Sequence, residues 1–225
     1  MDFFKLIQSL DEFLFEVVSW LLFYPLTLWR MIRSPLKTMA SAAHELTESE
    51  KRQFDDTIPP PLFLALTLIL IHVIELGALG HSYLQTVNPE LSNTIGSSTN
   101  LTILRILIIS LLPLTAAIRL VRARGARLDR PAIKAPFYSQ CYAAALFGIL
   151  LALAIVAEGP ELSYVGLPFL SIMALAFVWL LLIEAVWFAQ QLNCSFAQGL
   201  WQAVILMAEW AVLVVIVIGF FASRR

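Results

Sequence analysis

Four ionisable residues interrupt stretches of sequence that are otherwise apolar. They are His72, Glu75, Glu184 and Glu209, and each has apolar residues on both sides. An ionisable side chain at the centre of a lipid bilayer costs at least about 2.5 kcal/mol on insertion scales, so each needs a partner or a function. Residues of this kind mark proton and cation pathways in membrane proteins, and they also occur as paired structural groups.

Glu75 has two neighbours that can satisfy it. His72 lies one helical turn earlier, within hydrogen-bonding reach, and a histidine can titrate near physiological pH. Arg105 lies in the next predicted helix at a similar depth, and a short connection favours antiparallel packing of the two helices. The sequence therefore predicts a structural ion pair between Glu75 and Arg105. His72 is either a hydrogen-bonded packing residue or a titrating group.

The remaining two acids extend this region into a candidate polar pathway. Glu209 lies near the middle of the last predicted helix. No basic residue is expected at its depth except His72, which is a distant candidate. Glu184 lies in the cytoplasmic half of the preceding helix, where Arg119 or Arg122 can reach it. The predicted pathway consists, in order of depth, of Glu184, Glu209, His72 and Glu75. These groups form either a route for a proton or cation, or four separately satisfied sites.

Five predicted membrane-spanning helices position these residues. The chain is 60% hydrophobic and 14% charged, whereas roughly a quarter of the residues in soluble domains are charged. Five apolar stretches approach the ~20 residues that a helix needs to cross the hydrocarbon core. They cover residues 60–79, 101–121, 137–156, 164–189 and 200–221. The predicted fold class is an all-α polytopic membrane helix bundle with five spans.

A separate N-terminal region is predicted in front of the bundle. Residues 1–58 are assigned to this cytoplasmic and interfacial region, and residues 59–225 to the bundle. Apolar side chains recur at helical spacing in residues 6–29 with acids mostly opposite, which favours an amphipathic helix lying in the membrane interface. A sixth span is the alternative and would place both termini outside. Thr47 and Glu50 match a capping box and predict the start of a short helix.

Basic residues are distributed unevenly over the predicted loops, which indicates the orientation. Six Lys and Arg residues precede the first span and six more occur in residues 119–134. The segments 80–100 and 157–163 contain none. Because Lys and Arg accumulate on the cytoplasmic side, we predict a cytoplasmic N-terminus and an external C-terminus. The expected location is a bacterial cytoplasmic membrane.

Two stretches of the sequence carry a resemblance to known proteins. The segments EVVSWLLFYPLTLWR and DTIPPPLFLALTLILIH look like those of bacterial membrane proteins commonly labelled permeases. The topology also resembles the Yip family, whose members have a cytoplasmic N-terminal region, five closely spaced helices and an external C-terminus. The first resemblance implies transport, and the second implies a membrane-organising role. Neither resemblance supplies site residues.

These observations predict a small permease-like transporter or channel, with a non-enzymatic scaffold of Yip type as the alternative. The sequence contains no HExxH, Walker or dinucleotide-binding glycine pattern, so we expect no catalytic residues, cofactor or metal. The expected partners are the lipid bilayer and a proton or cation, without nucleic acid, and an oligomer is compatible with the sequence. Contacts with anionic lipid head groups, at about 1 kcal/mol each, are predicted for Arg30, Arg33 and Lys37.

Overall fold

The structure of the chain is a computed structural model that describes residues 3–48, 54, 57–79, 98–158 and 166–222. Across these residues the protein is helical, with turns and short connections between helices and no strand. This confirms the all-α fold class. Five of the described helices are long and apolar enough to cross a membrane. The chain is therefore an integral membrane protein whose apolar helices contact the lipid bilayer.

The structure describes seven helices along the chain. In order they are α1 (Phe3–Arg33), α2 (Pro35–Glu45), α3 (Pro60–Leu79), α4 (Ser98–Ala123), α5 (Arg130–Glu158), α6 (Leu167–Leu192) and α7 (Phe196–Ala222). The five spans are α3 to α7, as predicted, and α3 has the predicted bounds. Helix α5 begins at Arg130 rather than at residue 137. Asp129 explains the earlier start, because its Oδ1 accepts a hydrogen bond from the backbone N–H of Ala132 at 2.9 Å, as an N-cap does.

The segment between α1 and α3 differs from the prediction. Helix α2 was not predicted, although Pro35 at its first position is typical of a helix start. Oγ1 of Thr47 donates to the carbonyl of His44 at 2.7 Å, just after the end of α2. Glu50 and the residues that follow Thr47 in the predicted helix lie outside the described residues, so the capping box stays a prediction.

Helix α5 lies at the centre of the bundle. It packs against α2, α3, α4 and α6, while α7 packs against α6 and less extensively against α4. Small residues on α5 permit this close approach. A Cβ at Gly148 would lie 3.4 Å from Cδ1 of Ile71 on α3 and 3.7 Å from Cδ1 of Ile109 on α4. Helices α4 to α7 thus form a ring of four, and α3 lies outside it against α5.

The N-terminal helices are packed onto this bundle. The hydroxyls of Tyr24 on α1 and Thr67 on α3 are hydrogen-bonded at 3.0 Å. The hydroxyl of Tyr142 on α5 donates to the carbonyl of Ile58 at 3.0 Å. The ring of Phe63 lies between the two tyrosines, 5.0 Å from that of Tyr24 and 5.5 Å from that of Tyr142. These contacts join α1, α3 and α5, although the domain boundary at residue 58 and the interfacial position of α1 stay predictions.

The exposed basic segment between α4 and α5 offers a test of the orientation. We expect a single cysteine at Arg127, in a chain with Cys141 and Cys194 replaced by alanine, to react with an impermeant maleimide only from the cytoplasmic side. A cysteine in residues 80–100 is the matched control and should react from outside. Labelling at position 127 in intact cells would reverse the predicted orientation.

Candidate functional site

Arg119 and Glu209 form an ion pair between α4 and α7. Nη1 of Arg119 donates to Oε1 of Glu209 at 2.8 Å, and Nε of Arg119 donates to the backbone carbonyl of Gln202 at 3.0 Å. The arginine therefore bridges two turns of α7. Charge-assisted hydrogen bonds of this length are roughly twice as strong as neutral ones, so they hold the guanidinium in one orientation.

The two side chains of this pair lean toward each other from different depths. Glu209 lies about 20 Å along α7 from its start and Arg119 about 6 Å from the end of α4, at 1.5 Å per residue. The end of α4 and the start of α7 lie on the same side of the bundle. Nη2 of Arg124, just after α4, donates to the carbonyl of Gln191 at 3.1 Å near the end of α6, and α7 begins a few residues later. Helical side chains tilt toward the N-terminus of their own helix, so on antiparallel helices the two approach each other. Arg119 thus points inward, whereas basic residues near the ends of membrane helices usually extend toward the interface.

Glu209 also lines a groove between α4 and α7. The groove has a volume of about 510 Å³ and is lined by Thr115, Ile118, Arg122, Ala208, Glu209, Val212 and Leu213. The side chain of Glu209 is 41% exposed, whereas that of Arg119 is 13% exposed. The pair is therefore reached from the groove on its carboxylate side. Arg122, one helical turn beyond Ile118, supplies a second positive charge at the wall.

The sequence predicted no basic residue at the depth of Glu209 except His72, and the position of Glu209 near the middle of α7 agrees with the prediction. Glu209 nevertheless has a basic partner, because Arg119 reaches it from a position nearer the end of α4. The position of a residue along its helix gives the depth of its Cα atom only. The side chains of arginine and glutamate are long, so two such residues at different depths can still form a hydrogen bond when they lean toward each other. The tilt of helical side chains brings Arg119 within reach, but the contact between α4 and α7 was also needed to identify it as the partner.

Glu184 occupies a separate, fully buried site between α5 and α6. Nε2 of Gln140 donates to Oε2 of Glu184 at 2.8 Å, and both side chains are completely inaccessible. The predicted pairing with Arg119 or Arg122 is not found, because Arg119 binds Glu209 and Arg122 lines the groove. Within the described part of the chain, Oε1 of Glu184 and Oε1 of Gln140 have no hydrogen-bond partner.

The remaining predicted pathway residues lie on α3. Glu75 is fully buried and His72 is half-buried. The side chain of Arg105 lies outside the described residues, so the Glu75–Arg105 ion pair stays a prediction. Helix α3 packs mainly against α5, whereas Glu209 lies at the contact of α4 and α7. Glu184 and Glu209 likewise have different partners on different helices, and the structure does not join these two acids.

The predicted lipid-contacting residues lie where α1 meets α2. Arg33 and Lys37 are exposed and Arg30 is half-buried. This exposure leaves the two outer cations accessible to a membrane surface. Their contact with anionic lipid head groups stays a prediction.

Comparison with known proteins does not indicate a function, so the function is argued from the chemistry of these sites. No family model matches the chain, and no curated protein or solved structure shows significant similarity to it. Among the described residues, no group of three His, Cys, Asp or Glu side chains is placed to hold a metal ion. The two polar sites described are the Arg119–Glu209 ion pair beside the groove and the buried Gln140–Glu184 pair.

The buried pair leads to a prediction about stability. Gln140→Leu should lower the free energy of unfolding by about 1–3 kcal/mol, because Glu184 would lose its donor while staying buried. Adding Glu184→Leu should recover part of this loss. Thermal unfolding in detergent measures both effects, with Gln190→Leu on the exposed side of α6 as the matched control. Equal stability of Gln140→Leu and the wild type would show that this hydrogen bond does not stabilise the bundle.

Proposed function

We propose that this protein is a small permease-like transporter in which the Arg119–Glu209 pair is the ion-exchange site. The observation that supports this proposal is the 41% exposure of the Glu209 side chain in a groove between two membrane-spanning helices. Ionisable residues within a membrane usually face a bundle interior or a cavity, and they mark ion pathways. A carboxylate that exchanges a proton or a cation must be reached from outside the packed helices, and the groove leaves Glu209 open on one side.

The ion pair supplies two states between which a transporter can switch. When Glu209 is ionised, its carboxylate holds Arg119 at 2.8 Å. When a proton or cation binds that carboxylate, the attraction weakens and Arg119 keeps only the carbonyl of Gln202. A ligand shifts a conformational equilibrium when it binds one state better than the other, and here the bound ion favours the open pair.

The packing around the pair is compatible with such a switch. Helices α4 and α7 contact each other less extensively than either contacts its other neighbour in the ring. A small movement of α7 against α4 therefore disturbs fewer contacts than movement at any other junction of these four helices. Among the four predicted pathway residues, Glu209 carries the proposal because its carboxylate is both paired and accessible.

Ion flux through the wild-type protein tests this function. Full-length protein in liposomes that contain a dye sensitive to protons, sodium or potassium should carry the matching ion down an imposed gradient faster than protein-free liposomes do. Orientation in the liposomes does not affect this comparison, because gradients of both directions can be applied. Absence of flux under proton, sodium and potassium gradients would reject the transport proposal.

A membrane-organising scaffold resembling the Yip family is the second candidate. It is supported by the outward side of α1, where large apolar side chains are exposed, including Phe15 at 76%, Leu21 at 74% and Leu22 at 70%. A stripe of this kind can lie in the bilayer or against another membrane protein. A scaffold needs no ion movement, so the flux measurement separates the two candidates. In both proposals the chain resides in a bacterial cytoplasmic membrane with its N-terminus in the cytoplasm.

A further inference from the structure

We propose that the groove between α4 and α7 binds one anionic phospholipid, with Arg122 holding the head-group phosphate and the apolar groove wall holding an acyl chain. This site is distinct from the predicted lipid contacts at Arg30, Arg33 and Lys37, which lie where α1 meets α2. It does not depend on ion transport, since it requires only the shape and charge of the groove.

The groove has the polarity gradient of a phospholipid. Along α4 its wall is formed by Thr115, Ile118 and Arg122, which follow one another at helical spacing over about 10 Å. The facing wall on α7 is apolar apart from Glu209, with Val212 and Leu213 beyond it. Positive charge therefore lies near the end of α4, and apolar surface extends from there toward the middle of the bundle.

Arg122 is the arginine at this end of α4 whose guanidinium is available to a ligand. Arg119 donates to Glu209 and to Gln202, and Arg124 donates to both the carbonyl and the Oε1 of Gln191. Arg122 is exposed, lines the groove, and has no ion pair or side-chain hydrogen bond within the part of the chain that the structure describes. An exposed guanidinium presents a rigid set of donors that matches a phosphate.

The ion pair inside the groove does not oppose binding of an acyl chain. Glu209 is neutralised by Arg119, so the pair adds no net charge at the middle of the groove. With Arg122 included, the charged groups at the groove sum to one positive charge, which complements a monoanionic head group. Basic pockets between membrane helices at the cytoplasmic surface bind anionic lipid head groups in this manner.

The position of the groove favours a lipid over a soluble phosphate compound. Both walls belong to membrane-spanning helices, so a lipid can enter sideways from the bilayer. The exposed apolar wall, with Val212 at 58% exposure, gains from contact with an acyl chain but offers a free phosphate nothing. Phosphatidylglycerol is a suitable probe, because it combines one negative charge with two acyl chains.

Native mass spectrometry of the delipidated full-length protein tests this site. The protein should bind one phosphatidylglycerol in preference to phosphatidylcholine, and Arg122→Gln should weaken that binding about fivefold. The matched control is Arg127→Gln, an exposed cation outside the groove, which should bind as the wild type does. Val212→Phe should also weaken binding by filling the apolar part of the groove while Arg122 stays in place.

Three outcomes would overturn the proposal. Equal losses in Arg122→Gln and Arg127→Gln would mean diffuse attraction to basic charge. Equal binding of phosphatidylcholine would show that the net negative charge of the head group plays no role. Competition by millimolar inorganic phosphate, together with no effect of Val212→Phe, would mean that the groove binds the head group alone. Binding is measured without an ion gradient and the melting temperature of each variant is checked, so neither a lack of flux nor misfolding can imitate these results.

Discussion

Gly199→Ala should strongly destabilise the packing of α7 against α6. A Cβ at Gly199 would overlap the carbonyl oxygen of Ala185 and would lie 2.9 Å from the backbone nitrogen of Ala189. Both atoms belong to the backbone of α6, so they can move only if the helix moves. We expect Gly199→Ala to lower the free energy of unfolding by about 3 kcal/mol, at the upper end of typical overpacking effects.

The same helix supplies the control for this prediction. A Cβ at Gly219 would meet nothing within 4 Å. Gly219→Ala should therefore be neutral, or stabilising by up to about 1 kcal/mol, because alanine has the higher helix propensity. Thermal unfolding in detergent, followed by circular dichroism, compares the two variants directly. Similar melting temperatures would mean that α6 and α7 do not approach each other at Gly199 as closely as described.

Glu209→Gln should reduce ion flux to the level of protein-free liposomes while the fold is retained. Glutamine has nearly the same shape, and its side-chain oxygen can still accept a hydrogen bond from Arg119, which also keeps the carbonyl of Gln202. The amide cannot release or accept a proton at physiological pH, so the exchange step is removed. We expect the loss of flux to be complete, because Glu209 is the one acid among the described residues that line the groove.

The control for flux is an acid outside the groove. Glu16 is exposed on α1, so Glu16→Gln removes one negative charge without altering the site. This variant should carry ions at the wild-type rate. Arg119→Gln should change the rate of flux, since it leaves the Glu209 carboxylate without its cation. Wild-type flux in Glu209→Gln, with an unchanged melting temperature, would show that Glu209 is not the exchange site.

Apolar length was enough to predict the five spanning helices. Helix α3 runs without interruption from Pro60 to Leu79, and its bounds follow directly from its apolar run. The start of α5 was missed because its first turns are polar and depend on a cap at Asp129 rather than on membrane burial. Helix α2 was missed for a related reason, since its short length and mixed polarity carry no spanning signal.

The polar sites were less predictable, because their partners depend on packing between helices. Glu184 and Glu209 stand out as charges within apolar runs, whereas Gln140, the donor to Glu184, carries no charge and gives no such signal. The Arg119–Glu209 pair required the direction of two side chains on different helices, together with the contact of α4 and α7. The position of an acid along a helix indicates its depth, whereas the identity of its neighbour depends on which helices pack together.

The central position of α5 has a consequence for the order in which the chain is assembled during synthesis. Helices α2 and α3 leave the ribosome before α5 exists, yet their main packing surface lies on α5. The main contacts of α2 and α3 can therefore form only once α5 is inserted, although α3 already touches α4. The hairpin of α6 and α7 then completes the ring against α5 and α4, which places the Arg119–Glu209 contact among the last to form.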